Sequence, residues 1–156
     1  MIGLLQRVTH ARVSVAEQMI GEIGAGLLVL IGIAKGDDAA TGRRLLERIL
    51  GYRVFDDEQG RMNRSLRDVA GGLLLVPQFT LAADTRHGNR PGFSPAAPPP
   101  QAAALYNYVV EQARAAHATV ATGRFGADMQ VSLVNDGPVT FWLESNRQDA
   151  ATAQTP

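Results

Sequence analysis

The chain has 156 residues, of which 46% are hydrophobic, and its 15 basic residues balance 15 acidic residues. This length fits one domain with a continuous core, and a neutral charge argues against a protein that coats nucleic acid nonspecifically. The absence of cysteine excludes thiolate catalysis, cysteine-based zinc sites and disulfides. No segment approaches the roughly 20 apolar residues of a membrane span, and no signal peptide is evident. We therefore expect a soluble cytoplasmic protein without a membrane partner.

Short apolar runs separated by glycines fill the first part of the chain. Residues 2–8, 11–15 and 19–23 are predicted as strands of a β-meander. The continuous apolar run 27–33 is typical of a central strand that is buried on both faces. Arg7 lies within the first run, where a guanidinium needs a partner, and we expect it to bind backbone carbonyls.

A helix is predicted to begin at Asp37 and Asp38, which can cap its N-terminus, and to end near residue 52. Four apolar side chains share one face of this helix, namely Leu45, Leu46, Ile49 and Leu50. The polar stretch 56–65 is predicted as a loop. Its three acids lack the ligand spacing of a calcium-binding loop, so we expect no metal there.

A second buried strand is predicted over residues 73–81. Proline has no N–H group, so Pro77 places the end of this strand at an edge or a bulge. The backbone amides of Gln78, Phe79 and Thr80 would then be free of ladder partners and able to face a ligand.

The long segment 82–100 is rich in glycine and proline and carries Arg86, His87 and Arg90, which is typical of a functional or disordered loop. It leads into a second helix, whose predicted apolar face is Leu105, Tyr108, Val109 and Gln112. A short strand is predicted near residues 119–121.

The last ordered part of the chain is predicted as a hairpin, with strands over residues 129–134 and 139–143. Its turn is Asn135-Asp136-Gly137-Pro138, and Gly137-Pro138 is the best candidate in the chain for a cis peptide bond. We expect residues 1–145 to form one α/β domain with mixed β-sheets, arranged as two sheets or an open barrel, and two main helices. Residues 146–156 are predicted as a polar C-terminal tail.

The reactive side chains restrict the chemistry that is available. The three histidines do not lie in a ligand-spaced cluster, and neither a nucleophile elbow nor a phosphate-binding loop is present. We therefore expect neither a metal nor another cofactor. A catalytic interpretation must depend on backbone donors, on Thr80 and on groups that the substrate supplies.

The chain resembles the D-aminoacyl-tRNA deacylases in two segments that occur together, Pro77-Gln78-Phe79-Thr80-Leu81 and Asn135-Asp136-Gly137-Pro138-Val139-Thr140. The likeness covers almost the whole chain, including Gln6-Arg7-Val8, Gly88-Asn89-Arg90-Pro91 and the run 123–144. One difference is that Pro77 replaces the serine that the family usually has. A scheme that uses that serine hydroxyl cannot operate here, and one backbone N–H is also lost.

The resemblance implies an enzyme that hydrolyses the ester of a D-amino acid with the terminal adenosine of tRNA. Glycine mischarged on tRNA-Ala is a second candidate substrate. It also implies a homodimer in which the cis Gly137-Pro138 unit of one protomer enters the partner's site and rejects L-amino acids. The aminoacylated tRNA end and a second copy of the chain are the expected partners, with no role for DNA.

The same resemblance suggests roles for individual residues. Gln78, Phe79 and Thr80 would form the catalytic segment, with Arg7 supporting the glycine-proline turn. Phe125 and Met129 are candidates for an adenine pocket, although core packing would equally explain them. Arg86 and Arg90 are candidates for phosphate contacts, although surface solubility would explain these two as well.

Two other functions remain open at this point. A dimeric module that binds a tRNA end or a nucleotide without catalysis would keep the fold and lose the chemistry, as the change at Pro77 allows. A hydrolase of small activated esters would work without tRNA.

Overall fold

The computed structural model describes residues 1–146. The predicted tail therefore lies outside the described residues except for Asn146. Six strands form the main sheet, in the order β2-β1-β3-β6-β7, with β8 paired to β1, and two further strands form a small hairpin. The strands are β1 Ile2–Val15, β2 Gln18–Ile23, β3 Gly26–Gly32, β4 Phe55–Asp56, β5 Met62–Arg64, β6 Gly72–Pro77, β7 Val120–Thr122 and β8 Gln130–Glu144.

Strand β1 pairs with three other strands of the sheet. It pairs antiparallel with β3 through its first half and with β2 through its second half. Strand β8 lies along its other side from Ile2 to Ser14. The predicted break between residues 8 and 11 is wrong, because the ladder to β8 continues through this stretch and keeps the backbone extended.

The predicted central strand is confirmed as β3, which pairs in parallel with β6. Alternate side chains of these two strands enter two separate cores, so both faces are buried. Leu27, Val29, Leu73 and Leu75 pack on the helices, whereas Leu28, Leu74 and Val76 pack on the inner side of the curved sheet. The sheet is close to closing into a barrel, because a Cβ at Gly21 of β2 would lie 2.6 Å from the carbonyl oxygen of Thr122 in β7.

Two long helices, α1 Ala39–Gly51 and α3 Pro99–Ala116, cover one face of the sheet. Asp38 caps α1 by accepting a hydrogen bond from the amide of Thr41, and the predicted apolar face is confirmed. The predicted face of α3 is rotated, because Tyr106, Val109 and Val110 are buried at its centre while Leu105 and Tyr108 are half-buried at its margins. Among the described residues, no helix is both long enough and apolar enough to cross a bilayer.

Several connections differ from the sequence-based expectations. The predicted loop over residues 56–65 contains the β4–β5 hairpin and is followed by one helical turn, α2 Leu66–Val69. Strand β6 ends at Pro77 instead of continuing to residue 81. A 3₁₀ turn over Phe79–Ala82 follows it, because proline cannot extend the ladder.

The predicted closing hairpin is wrong. Both of its apolar runs belong to the single strand β8, which pairs with β1 along its whole length. Gln6 of β1 pairs with Thr140 and Val8 pairs with Asn135, so the four residues 136–139 stand opposite Arg7 alone. The turn residues thus form a wide bulge in a continuous strand.

Candidate active site

The segment after β6 presents backbone donors at the end of the central sheet. The amide of Gln78 is not free as predicted, because it donates to the carbonyl of Ile31 at 2.7 Å and completes the ladder to β3. Within residues 1–146, the amides of Phe79 and Thr80 have no hydrogen-bond acceptor, as is usual for the first N–H groups of a helical turn. These two amides are therefore available to a ligand.

Pro77 is the last residue of β6 and lies where its pairing with β7 ends. The amide of Leu73 points toward β7, where it donates to Thr119 at 2.9 Å, and the amide of Gln78 points to the opposite side. Since directions alternate along a strand, the nitrogen of Pro77 faces the β7 side. The amide of Gly123 still donates to the carbonyl of Leu75 at 2.8 Å, so residue 77 is the next donor position of this parallel ladder. The proline therefore ends the pairing with β7.

A cavity of about 460 Å³ adjoins this segment and brings it together with the loop between β7 and β8. It contains Gln78 and Phe79 on one side and Phe125 and Met129 on the other. Among the described residues that line it, the only polar side chain belongs to Gln78. The full lining is Val76, Pro77, Gln78, Phe79, Ala97, Pro99, Ala102, Phe125, Gly126, Ala127, Met129 and Val131.

The loop between β7 and β8 holds Phe125 and Met129 against this cavity. The Phe125 ring lies 6.3 Å from the Tyr106 ring, measured between centroids, and the Tyr106 hydroxyl donates to the carbonyl of Leu75 at 2.9 Å. Burial raises the pKa of Tyr106, so this hydroxyl stays protonated and keeps its role as a donor. The Met129 sulfur accepts a bond from the amide of Arg124 at 3.3 Å.

Thr80 is exposed and does not line this cavity. It lines a second, more open cavity of about 580 Å³ together with Arg86 and Trp142. The Thr80 hydroxyl accepts a hydrogen bond from the Gln78 side-chain amide. In the part of the chain that the structure describes, no base accepts a proton from this hydroxyl, so Thr80 lacks the activation that a nucleophile needs.

The β8 bulge displays the Gly137-Pro138 peptide, which is cis as the resemblance implies. Both residues are exposed in the single chain. The Asn135 side chain ties the two ends of the bulge together. Its amide nitrogen donates to the Thr140 hydroxyl at 2.7 Å and its oxygen accepts from the Val139 amide at 2.9 Å. This role of Asn135 was not predicted, although an asparagine two residues before the glycine-proline pair is a usable signal.

Arg7 braces the bulge from the neighbouring strand. Its Nε donates to the carbonyl of Asp136 at 3.0 Å, and one terminal nitrogen donates to the carbonyl of Val54 at 2.7 Å. Gly137 has a φ of 135°, a backbone conformation that favours glycine. A Cβ there would lie 2.7 Å from a methyl group of Val139 and 3.2 Å from the Arg7 guanidinium. The bulge is therefore held on both sides and tolerates only glycine at its apex.

The two phosphate candidates differ in their surroundings. Arg86 forms a forked pair with Asp84, with both contacts at 2.8 Å. This pairing holds the pKa of Asp84 well below its usual range and raises that of Arg86. Arg86 is thus already neutralised, which argues against the predicted phosphate contact. Arg90 is exposed on the same loop and has no carboxylate partner within residues 1–146.

Comparison with known proteins identifies the family. The model of the family described as D-Tyr-tRNA(Tyr) deacylase matches residues 4–144. The chain is 64% identical to the D-aminoacyl-tRNA deacylase of Stutzerimonas stutzeri (strain A1501), over 93% of this chain and 100% of that protein. It is 61% identical to the D-aminoacyl-tRNA deacylase of Cronobacter sakazakii (strain ATCC BAA-894), over 92% of this chain and 99% of that protein.

Solved structures share the fold of this chain. The c-Myc DNA unwinding element binding protein is 42% identical and superposes with a TM-score of 0.89 over 93% of this chain and 99% of that one. A probable eukaryotic D-amino acid tRNA deacylase, 18% identical, superposes with a TM-score of 0.80 over 92% of this chain and 98% of that one, and shows the shared fold. The chain belongs to the D-Tyr-tRNA(Tyr) deacylase family.

Proposed function

We propose that this protein is a D-aminoacyl-tRNA deacylase, a carboxylic ester hydrolase that releases the D-amino acid from the 3′ end of tRNA. The observation that carries the proposal is the cavity that joins Gln78 and Phe79 to Phe125 and Met129, with the two free amides beside it. The full-length similarity to proteins named D-aminoacyl-tRNA deacylase supports the same activity.

The terminal adenosine would occupy this cavity. Its volume of about 460 Å³ and its apolar walls suit a planar nucleobase with few polar groups. Phe125 offers a ring face and Met129 an adaptable thioether. This seat would bring the ester at the ribose 3′ oxygen toward Phe79 and Thr80.

The chemistry would come mostly from the substrate. Since no acid or base lines the described cavity, we infer that the vicinal ribose hydroxyl activates the attacking water. The amides of Phe79 and Thr80 would donate to the oxyanion that forms at the ester carbonyl. One such donor typically stabilises the transition state by about 2.7–4 kcal/mol, which is substantial for an ester that is already reactive.

The Gly137-Pro138 turn would select the configuration of the amino acid in a homodimer. This turn is exposed in the single chain and is fixed by Arg7 and Asn135, so it is suited to enter a partner's site as a rigid wall. An L side chain would meet the carbonyls of this wall, a D side chain would point away, and glycine has no side chain to reject. Glycine mischarged on tRNA is therefore a second expected substrate.

The expected partner is aminoacylated tRNA in the cytoplasm, rather than DNA or a membrane. The proposed chemistry needs a ribose hydroxyl that DNA lacks. Arg90, which has no carboxylate partner in the described part of the chain, remains the better candidate for a phosphate contact.

Incubation with D-Tyr-tRNA and with L-Tyr-tRNA tests the function. Prompt release of tyrosine from the D substrate alone supports the proposal. Binding of both without release would instead indicate a silent module for tRNA ends. Turnover of simple activated esters, with no preference for aminoacyl-tRNA, would indicate a small-molecule hydrolase.

A further inference from the structure

Two exposed phenylalanine rings lie side by side at the proposed site. Phe79 is 55% exposed and Phe93 is 42% exposed, and their ring centroids are 5.1 Å apart at an interplanar angle of 52°. Contiguous exposed apolar surface often marks a binding site. This pair, here called the aromatic platform, is therefore a candidate contact surface.

The surrounding backbone holds Phe93 in place. Asp84 and Gly92 exchange two backbone hydrogen bonds, of 2.7 and 3.0 Å, and close the loop just before Phe93. After Phe93, the amide of Ala97 donates to Ile33 at 3.0 Å and ties the returning chain to the end of β3. The platform is thus anchored on both sides of Phe93 in sequence.

The aromatic platform extends the proposed adenosine-binding site onto the outer surface. Phe79 lines the cavity, whereas Phe93 does not, so the ring pair extends from the cavity wall to the outside. A nucleic acid strand whose last nucleoside occupies the cavity must leave it across an exposed surface. Phe79 belongs to both surfaces and gives that strand a continuous path.

We propose that the aromatic platform stacks on the nucleobase that precedes the terminal adenosine of tRNA. The inference rests on the proposed function and extends its substrate site by one nucleotide. Exposed aromatic rings bind single-stranded bases with little sequence preference, because every base has a π face. Charge favours RNA as the occupant over a second copy of this chain, because Arg90 is exposed on the loop before Phe93 and has no carboxylate partner in the described residues. Arg86 of the same loop is neutralised by Asp84 and adds nothing to this attraction.

The test compares binding of two uncleavable substrate analogues, in which an amide replaces the ester. One is D-tyrosyl-adenosine amide and the other carries an additional 5′ cytidylate. The added nucleotide should tighten binding to the wild-type protein by about 5- to 150-fold. Phe93→Ala and Phe93→Leu should lose most of this gain, while Phe93→Tyr should keep it because the ring remains. Met19→Ala is the matched control, since Met19 is 57% exposed but lies on β2, and it should leave the gain unchanged.

The same gain in Phe93→Ala as in the wild type would overturn the proposal. It would also be overturned if Phe93→Ala weakened both analogues equally and lowered the molar mass in sedimentation, since the rings would then belong to an interface between copies. Turnover of the D-tyrosyl ester by the wild-type protein is measured in parallel. Because the analogue affinities do not depend on hydrolysis, a failure of the deacylase function is distinguishable from a failure of the platform.

Discussion

The Nε atom of Arg7 lies 3.0 Å from the carbonyl oxygen of Asp136, the residue immediately before Gly137. The same guanidinium donates to the carbonyl of Val54 at 2.7 Å, and its side chain is only 11% exposed. One cation therefore joins the β8 bulge to the segment that follows α1. The orientation of the cis peptide depends on this link, because residues 136–139 have no partner of their own on β1.

We expect Arg7→Ala to weaken both the fold and the selectivity. Hydrogen bonds to charged groups typically contribute about 1.5–3 kcal/mol, and the free energy of unfolding in urea should fall by roughly that amount. The ratio of D to L turnover should fall as well, because the turn loses its brace. Arg12→Ala is the control, since Arg12 lies exposed on the same strand. A lower stability with an unchanged D to L ratio would contradict the role of Arg7 in selection.

Features with local causes could be predicted from the sequence, whereas features that depend on distant contacts could not. The buried strand β3 and the apolar face of α1 follow from side-chain periodicity, and both were predicted. The path of β8 was not predicted, because the residues Asn135-Asp136-Gly137-Pro138 are typical of a turn. Only pairing with β1, a contact distant in sequence, keeps the two runs in one strand.

The candidate site shows the same division. The glycine-proline turn and the segment 77–81 stood out by their motifs. The capture of the Gln78 amide by Ile31 did not, because it depends on where the chain folds back. The contact between the Phe79 and Phe93 rings is likewise a tertiary contact with no pattern in the sequence. The pairing of Arg86 with Asp84 is local, two residues apart in sequence, and was missed.

Gly137→Val should abolish the selection of D over L substrates. Gly137 has a φ of 135°, and a Cβ would lie 2.7 Å from a methyl group of Val139. Such a backbone conformation costs about 1–3 kcal/mol for an L residue, so the bulge must change shape. Gly24→Ala provides the control because nothing lies within 4 Å of a Cβ at that position. If D and L turnover by Gly137→Val matched the wild type, the turn would have only a structural role.

Pro77→Ser should leave both the fold and the turnover of D-Tyr-tRNA nearly unchanged. The nitrogen at this position faces the β7 side at the end of the ladder, so a restored N–H adds at most one terminal hydrogen bond to the sheet. Loss of the proline should reduce the free energy of unfolding by about 0.4–1 kcal/mol, through greater freedom of the unfolded chain. Urea titration and initial rates measure the two effects. A gain in rate of a hundredfold or more would mean that a hydroxyl at this position takes part in catalysis.

Two substitutions at Thr80 separate its hydroxyl from its backbone amide. Thr80→Ala removes only the acceptor of the Gln78 side chain and should reduce kcat by less than about tenfold, as expected for one neutral hydrogen bond. Thr80→Pro removes the N–H and should reduce kcat by about 10²–10³-fold if that amide binds the oxyanion. Circular dichroism checks that both variants are folded. The reverse order, with Thr80→Ala inactive but folded and able to bind tRNA, would favour Thr80 as the nucleophile.

A substrate that ends in 2′-deoxyadenosine tests whether the ribose supplies the missing base. No acid or base lines the described cavity, and the Thr80 hydroxyl is already engaged by Gln78. A D-tyrosyl ester on the 3′ oxygen of the deoxy substrate should therefore bind like the normal substrate but be cleaved about 10²–10⁴-fold more slowly, the range typical of a lost general acid–base group. The 2′-fluoro analogue is the matched control, because it keeps an electronegative substituent but has no proton to exchange. If either analogue were hydrolysed at the normal rate with an unchanged KM, a protein group would have to activate the water instead.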